Sequence, residues 1–216
     1  MILRNIFICL VFLPLSLVAQ SNPWAVWDAE LVRSLNTGAE SEYLNEEEQK
    51  VILFMNMARH DGPLFERTFL RSYIQENRLE NSSYIRSLQR DLKKTSRLAA
   101  LIPEKDLTAV AQGHARKTGE KGTTGHSDFK KRFDPLLGNP YTQVGENCSY
   151  GYAKAIDIVI SLLIDEGIKS LGHRNNMLSR EFNSVGVAIR SHRKFRINCV
   201  MDFGSRGRSS LNELPY

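Results

Sequence analysis

The sequence has no strong excess of charge, no long apolar run beyond its first residues and very little cysteine. Each scarcity removes a class of protein. Lysine plus arginine number 29 against 24 acids, too even a balance for a nucleic-acid surface. Neither of the two small basic clusters, Lys130-Lys131-Arg132 and residues 190–196, is interleaved with several stacking aromatics, so no nucleic-acid partner is expected. Three cysteines are too few for a fold stapled mainly by disulfides. Past the start of the chain, residues 156–164 come closest to a membrane span. They are short, with Asp157 inside and Asp165 at the end, well under the ~20 residues a spanning helix needs. There is no Gly-x-Ser-x-Gly elbow. Ser127 adjoins His126, but neighbours in sequence rarely face each other as nucleophile and base must. No internal repeat and no low-complexity tract occurs.

What is present begins with an address. Arg4, the apolar residues 6–13 and a stretch of small or apolar residues ending at Ala19 read as a signal peptide over 1–19. Its alternative is an uncleaved N-terminal anchor. No cysteine lies at the cleavage point, so no lipid anchor is expected there. The protein is therefore expected to be secreted, periplasmic or extracellular. Losing the leader removes one base, Arg4, and takes the net charge from +5 to +4. It also removes Cys9. The remaining pair, Cys148 and Cys199, favours a disulfide in an exported chain, and closing so long a loop would contribute about 4 kcal/mol. The alternative is two separately buried thiols.

The length suits one domain: a lead-in at 20–43, a domain at 44–204 and a polar tail at 205–216. Asn45 with Glu48 forms a capping-box signature. Val51, Phe54, Met55 and Ala58 follow at helical spacing, and the helix should stop at Gly62-Pro63. Residues 64–98 hold two more helical pieces separated by a polar loop at 76–83. They look like an insertion and carry no evident chemistry. Pro103 suits the first turn of a helix over 104–117, on which His114 reads as a packed residue outside the reactive set. Residues 153–165 form a helix apolar on more than one face, hence buried. Residues 184–189 and 195–203 read as a hairpin.

Three glycine-opened polar clusters gather the chemistry: Gly125-His126-Ser127, Gly145-Glu146-Asn147-Cys148 and Gly172-His173-Arg174-Asn175-Asn176. They read as loops converging on one site. With Asn56 and Arg59 on the first helix, Leu101-Ile102-Pro103, and Val185-Gly186-Val187, their order resembles the CAP superfamily (cysteine-rich secretory proteins, antigen 5 and pathogenesis-related 1), in its bacterial SCP-like secreted branch.

The resemblance covers about 44–203. It implies an α+β fold, a three-layer α-β-α sandwich with a central cleft. It also implies a cleft tetrad of two histidines and two acids, which maps onto His126, Glu146, His173 and Asp165, with Glu166 as the alternative second acid. Animal and plant members read Gly-His-Tyr-Thr-Gln where this chain has Gly172 to Asn176, so sterol binding tied to that stretch is not implied.

Two imidazoles and two carboxylates suit zinc or another divalent metal, with His126, Glu146 and His173 as candidate ligands. They equally suit an acid/base pair or a hydrogen-bonded network that ties loops together. The first functional reading is a secreted, non-enzymatic protein. It would bind a small ligand, lipid, peptide or envelope component through the cleft. The alternative is a metal-dependent hydrolase using the same residues.

Overall fold

A computed structural model describes residues 22–207. The expected signal peptide with Cys9, and residues 208–216 of the tail, lie outside them. A 3-10 turn at Pro23–Val26 leads to α1 (Ala29–Leu35), α2 (Glu46–His60), α3 (Gly62–Phe65), a π-helical turn at Glu66–Leu70, and α4 (Arg71–Glu76). Then come α5 (Ser83–Lys94), β1 (Ile102–Pro103), α6 (Lys105–Lys121), α7 (Phe129–Phe133), β2 (Tyr141–Tyr150), α8 (Ala155–Ile164), α9 (Gly172–Met177), β3 (Ser184–His192) and β4 (Arg196–Arg206). The strands form one sheet in the order β1-β3-β4-β2, with β1 parallel to β3 and the other pairs antiparallel. Helix α6 packs on one face, and α2, α5 and α8 build the layer on the other. This is the expected α-β-α sandwich. Among the described residues no helix is long and apolar enough to cross a membrane.

The two faces of the sheet differ in kind. Val185, Val187, Cys199, Met201 and Phe203 join α2 and α8 in the main apolar core. The opposite face carries small residues, Gly186 and Ala188, beneath Ala111 and Ala115 of α6. A Cβ on Gly186 would come within 2.2 Å of the α6 backbone at Leu107 and Thr108. That glycine sets how closely helix and sheet approach.

The capping box forms as expected: the Asn45 side chain accepts from Glu48 N, and Asn45 N donates to the Glu48 carboxylate. Two buried arginines tie the layers together. Arg59 donates to the carbonyls of Ala99, Met177, Ser179 and Phe182, and burial lowers its pKa to about 10, so it stays charged. Arg174 bonds Asp91 and the carbonyls of Leu163, Ile164 and Tyr84, a structural role.

Three expectations are corrected. Cys148 and Cys199 are free, buried thiols. In the β2–β4 ladder Cys148 pairs with Val200, while Cys199 pairs with Ser149. Side chains alternate faces along a strand, so this one-residue offset puts the two sulfurs on opposite sides of the sheet. Pro103 lies in β1, not in the first turn of α6. Ile102 N and Glu104 N donate to β3-side carbonyls, so the residue between them needs no N–H, and an edge strand tolerates proline. The Gly145 to Cys148 cluster is mid-strand in β2, not a loop. Its glycine is required by packing, since a Cβ there would lie 2.9 Å from the Phe182 ring.

Candidate functional site

The site is built from two histidine–carboxylate pairs. The first joins the α6–α7 loop to β2. Gly125 takes a positive φ of 89°, a conformation natural to glycine, and the chain turns to present His126. His126 Nδ1 lies 2.8 Å from Glu146 Oε1. An ionised carboxylate only accepts, so Nδ1 carries a proton, and in the neutral imidazole Nε2 keeps its lone pair.

Arg132 of α7 forks onto the same carboxylate, Nη1 to Oε2 at 2.6 Å and Nη2 to Oε1 at 2.9 Å. Its guanidinium lies over the rings of Phe129 and Phe133. Burial opposes ionisation of Glu146. The hydrogen bonds from His126 and Arg132, with the Arg132 charge, outweigh it and hold the carboxyl below its usual range.

The second pair joins two helix ends. Asp165 closes α8 in the left-handed conformation, at φ 57°. Asp tolerates this better than most residues. Its Oδ1 lies 2.6 Å from His173 Nδ1, and its Oδ2 accepts from the backbone N–H groups of His173 and Arg174 at the start of α9. A carboxylate at a helix start suits the unpaired amides there. Glu166, the alternative second acid, instead accepts from Ser82 Oγ. In the neutral imidazole, His173 Nε2 is again left with a lone pair.

Asparagines link the pairs. Asn147 Nδ2 donates to the His173 carbonyl, and Asn176 Nδ2 donates to Asn147 Oδ1. Cys148 lines a recess of about 210 Å³ with Asp165 and His173, and its Sγ is 3.9 Å from His126 Nδ1. The Asp165–His173 pair thus opens on this recess, and Cys148 lies between it and the His126–Glu146 pair. Asn175 satisfies the loop carbonyl of Ser170.

Behind Glu146 lie groups whose placement the sequence did not reveal. His114, expected to be a packed histidine of α6 outside the reactive set, is packed as expected but beside Glu146, with Nε2 2.8 Å from the Gly125 carbonyl and 3.8 Å from Glu146 Oε1. Burial lowers its pKa, and its Nδ1 has no partner. Asp202 of β4 pairs in register with Glu146. It is fully buried, and its polar neighbour is Glu146, to which a protonated Asp202 can donate. Burial first, then the Glu146 charge and a hydrogen bond to Glu146, raise its pKa well above the ordinary value, which favours the protonated acid. Arg132 read as one of three bases in a solvated cluster. The signal that could have placed it is its spacing on a short helix behind His126, between Phe129 and Phe133.

His114, Glu146 and Cys148 bring one ligand atom each to within 4.8 Å of one another. Their chemistry does not fit an ion as they stand. The Gly125 carbonyl fixes the His114 proton on Nε2, Arg132 and His126 occupy Glu146, and burial pushes the Cys148 thiol pKa far up. His126 and His173 are each backed by a carboxylate instead. A carboxylate behind Nδ1 is the usual support of a metal-ligating imidazole, and it places Glu146 and Asp165 behind the histidines.

No curated protein matches the chain. Among solved structures, an extracellular protein containing a SCP domain from Bacillus anthracis str. Ames aligns at 14% identity and a TM-score of 0.44. The alignment covers 74% of this chain and 41% of that one, so the chain spans less than half of that protein. An outer surface protein of Borrelia burgdorferi aligns at 18% identity and TM-score 0.43, over 66% and 96% of the two chains. Venom allergen-like protein 4 of Schistosoma mansoni aligns at 13% identity and TM-score 0.48, over 76% and 91%. The family model of the cysteine-rich secretory protein family, CAP, matches residues 66–203, well over half of the chain, and the chain belongs to that family.

Proposed function

We propose that this is an exported CAP-domain binding protein whose cleft holds a ligand through His126 and His173, with a divalent ion as an optional bridge. The observation that carries this reading is the matched state of the two imidazoles. Each has Nδ1 tied to a buried carboxylate oxygen, at 2.8 and 2.6 Å, and neither Nε2 has a hydrogen bond among the described residues. Rings so fixed are preorganised acceptors. A bound ion would supply a Lewis-acidic anchor for an oxygen or nitrogen of the ligand.

Binding is preferred to metal-dependent hydrolysis because both carboxylates are already committed to imidazoles, and Glu146 to Arg132 as well. Hydrolysis would need a further group to act on a water. The signal peptide expected from the sequence at 1–19 favours action outside the cytoplasm.

The test is zinc titration calorimetry on the protein lacking residues 1–19, alongside the His126→Ala, His173→Ala double variant. Binding by the parent that is lost in the variant is the expected result. Equal affinity in both would remove these histidines from the site.

A further inference from the structure

The segment at 64–98 looked chemically silent in the sequence, yet it builds one wall of a second recess. A cavity of about 350 Å³ lies between this segment and α8. Tyr73, Leu79, Ile85, Tyr152 and Ile164 make its surface mostly apolar. Tyr73, Ile85 and Ile164 are buried, whereas Tyr152 is 42% exposed. The depth is therefore greasy and the mouth carries an exposed ring.

Among the described residues the only charged groups lining it are Glu80 and Glu166, both exposed, and no described Lys, Arg or His lines it. In a chain of net charge +5, a recess with acids alone stands out. Tyr152, Ser161 and Glu166 also line the recess that holds Asp165 and His173. The Ser82–Glu166 hydrogen bond, 2.7 Å, ties the 64–98 segment to that shared edge.

We propose that this recess binds a small amphiphilic amine, with its hydrocarbon body between α5 and α8 and its ammonium at Glu80 and Glu166. Three features favour it. The volume falls within the range of small-ligand pockets, roughly 300–1,000 Å³. Burying an aliphatic chain against Leu79, Ile85 and Ile164 supplies the hydrophobic term. The two carboxylates and the face of Tyr152 attract a cation and repel a carboxylate head group. The proposal extends the binding reading to a compartment beside the histidine cleft. It does not depend on the metal.

The experiment compares n-octylammonium with n-octanoate by calorimetry at low salt, using the chain lacking residues 1–19. The variants are Glu80→Gln/Glu166→Gln and, separately, His173→Ala. Both acids are exposed, so the first variant should fold, and glutamine can still accept from Ser82. The amine should bind and the carboxylate bind at least about tenfold more weakly, as loss of charge-assisted contacts predicts. The double glutamine variant should lose about tenfold in amine affinity by the same reasoning. His173→Ala should leave amine binding unchanged while weakening zinc, which separates this proposal from the metal reading.

Equal binding of octanoate, or an unaltered Glu80→Gln/Glu166→Gln variant, would overturn the assignment. Tighter binding of N-acetyl-lysine methylamide than of octylammonium would move the site to a peptide side chain and overturn the free-amine reading.

Discussion

The two histidine–carboxylate pairs perform the same local chemistry with opposite supports. Glu146 lies mid-strand under α6, where the sheet offers it no free amide, and a side-chain cation, Arg132, compensates its charge. Asp165 lies at a helix junction, where backbone N–H groups of α9 do that work. A carboxylate can be stabilised by a placed charge or by placed dipoles, and the chain uses one device for each histidine. The first is costlier to disturb, because removing one partner strands a buried charge. The second is local, because the amides belong to the same helix start that presents His173.

The comparison breaks most visibly at Arg132. Arg132→Met should cost about 3–5 kcal/mol in urea unfolding, since Glu146 is left buried beside Asp202. Adding Glu146→Gln should restore much of that loss. A near-neutral Arg132→Met would mean that the first pair needs no cation, and the contrast would disappear.

Asp165→Asn should cost less, about 1.5–3 kcal/mol, because the amide oxygen still accepts from the α9 backbone. Its clearer signature is zinc affinity, expected to drop about 10- to 100-fold for loss of a supporting carboxylate. Unchanged zinc affinity would detach Asp165 from the ligand role of His173.

Asp202→Asn separates the pairs by pH. The raised folded-state pKa of Asp202 means that the native state keeps a proton the unfolded chain gives up near pH ~3.9. Its contribution is thus fully present below that pH and is lost as pH rises. Glu146, lowered in the fold, runs the other way: its contribution is present above the unfolded value, near ~4.3, and is lost as pH falls. Between pH 4 and 8 the Tm advantage of Asp202→Asn over the parent should therefore grow with pH. A constant difference would mean that Asp202 is ionised in the fold.

The smallest effect is expected from reductant. Dithiothreitol should leave Tm unchanged, and the denatured chain lacking residues 1–19 should titrate two thiols. A lower Tm on reduction would restore a disulfide that the strand register forbids.

Much of the architecture was readable because it is local. The Asn45–Glu48 capping box, the apolar stripe of α2, the all-round apolar α8 and the β3–β4 hairpin are patterns within a few turns of chain. Strand β2 was not readable. Its α6-facing positions run Val144, Glu146, Cys148 and Tyr150, and the buried polar residues of the site erase the apolar alternation that marks a strand.

At the candidate site, the glycine-flanked motifs nominated His126, Glu146, His173 and Asp165 one at a time. Which acid backs which histidine was a matter of folding. So were the arrival of Arg132 from α7 and His114 from α6, and the placing of Asp202 across the ladder from Glu146.

The sequence by itself determined the family, the order of the layers and the residue types of the cleft, since these depend on short-range periodicity and ordered motifs. Only the tertiary structure decided the pairing of charges, the separation of Cys148 from Cys199 and the recess beside α8. Each of these depends on strand register or on contacts between segments far apart in the chain. A one-residue change in register exchanges the faces of a sheet, and nothing local in the sequence encodes that choice.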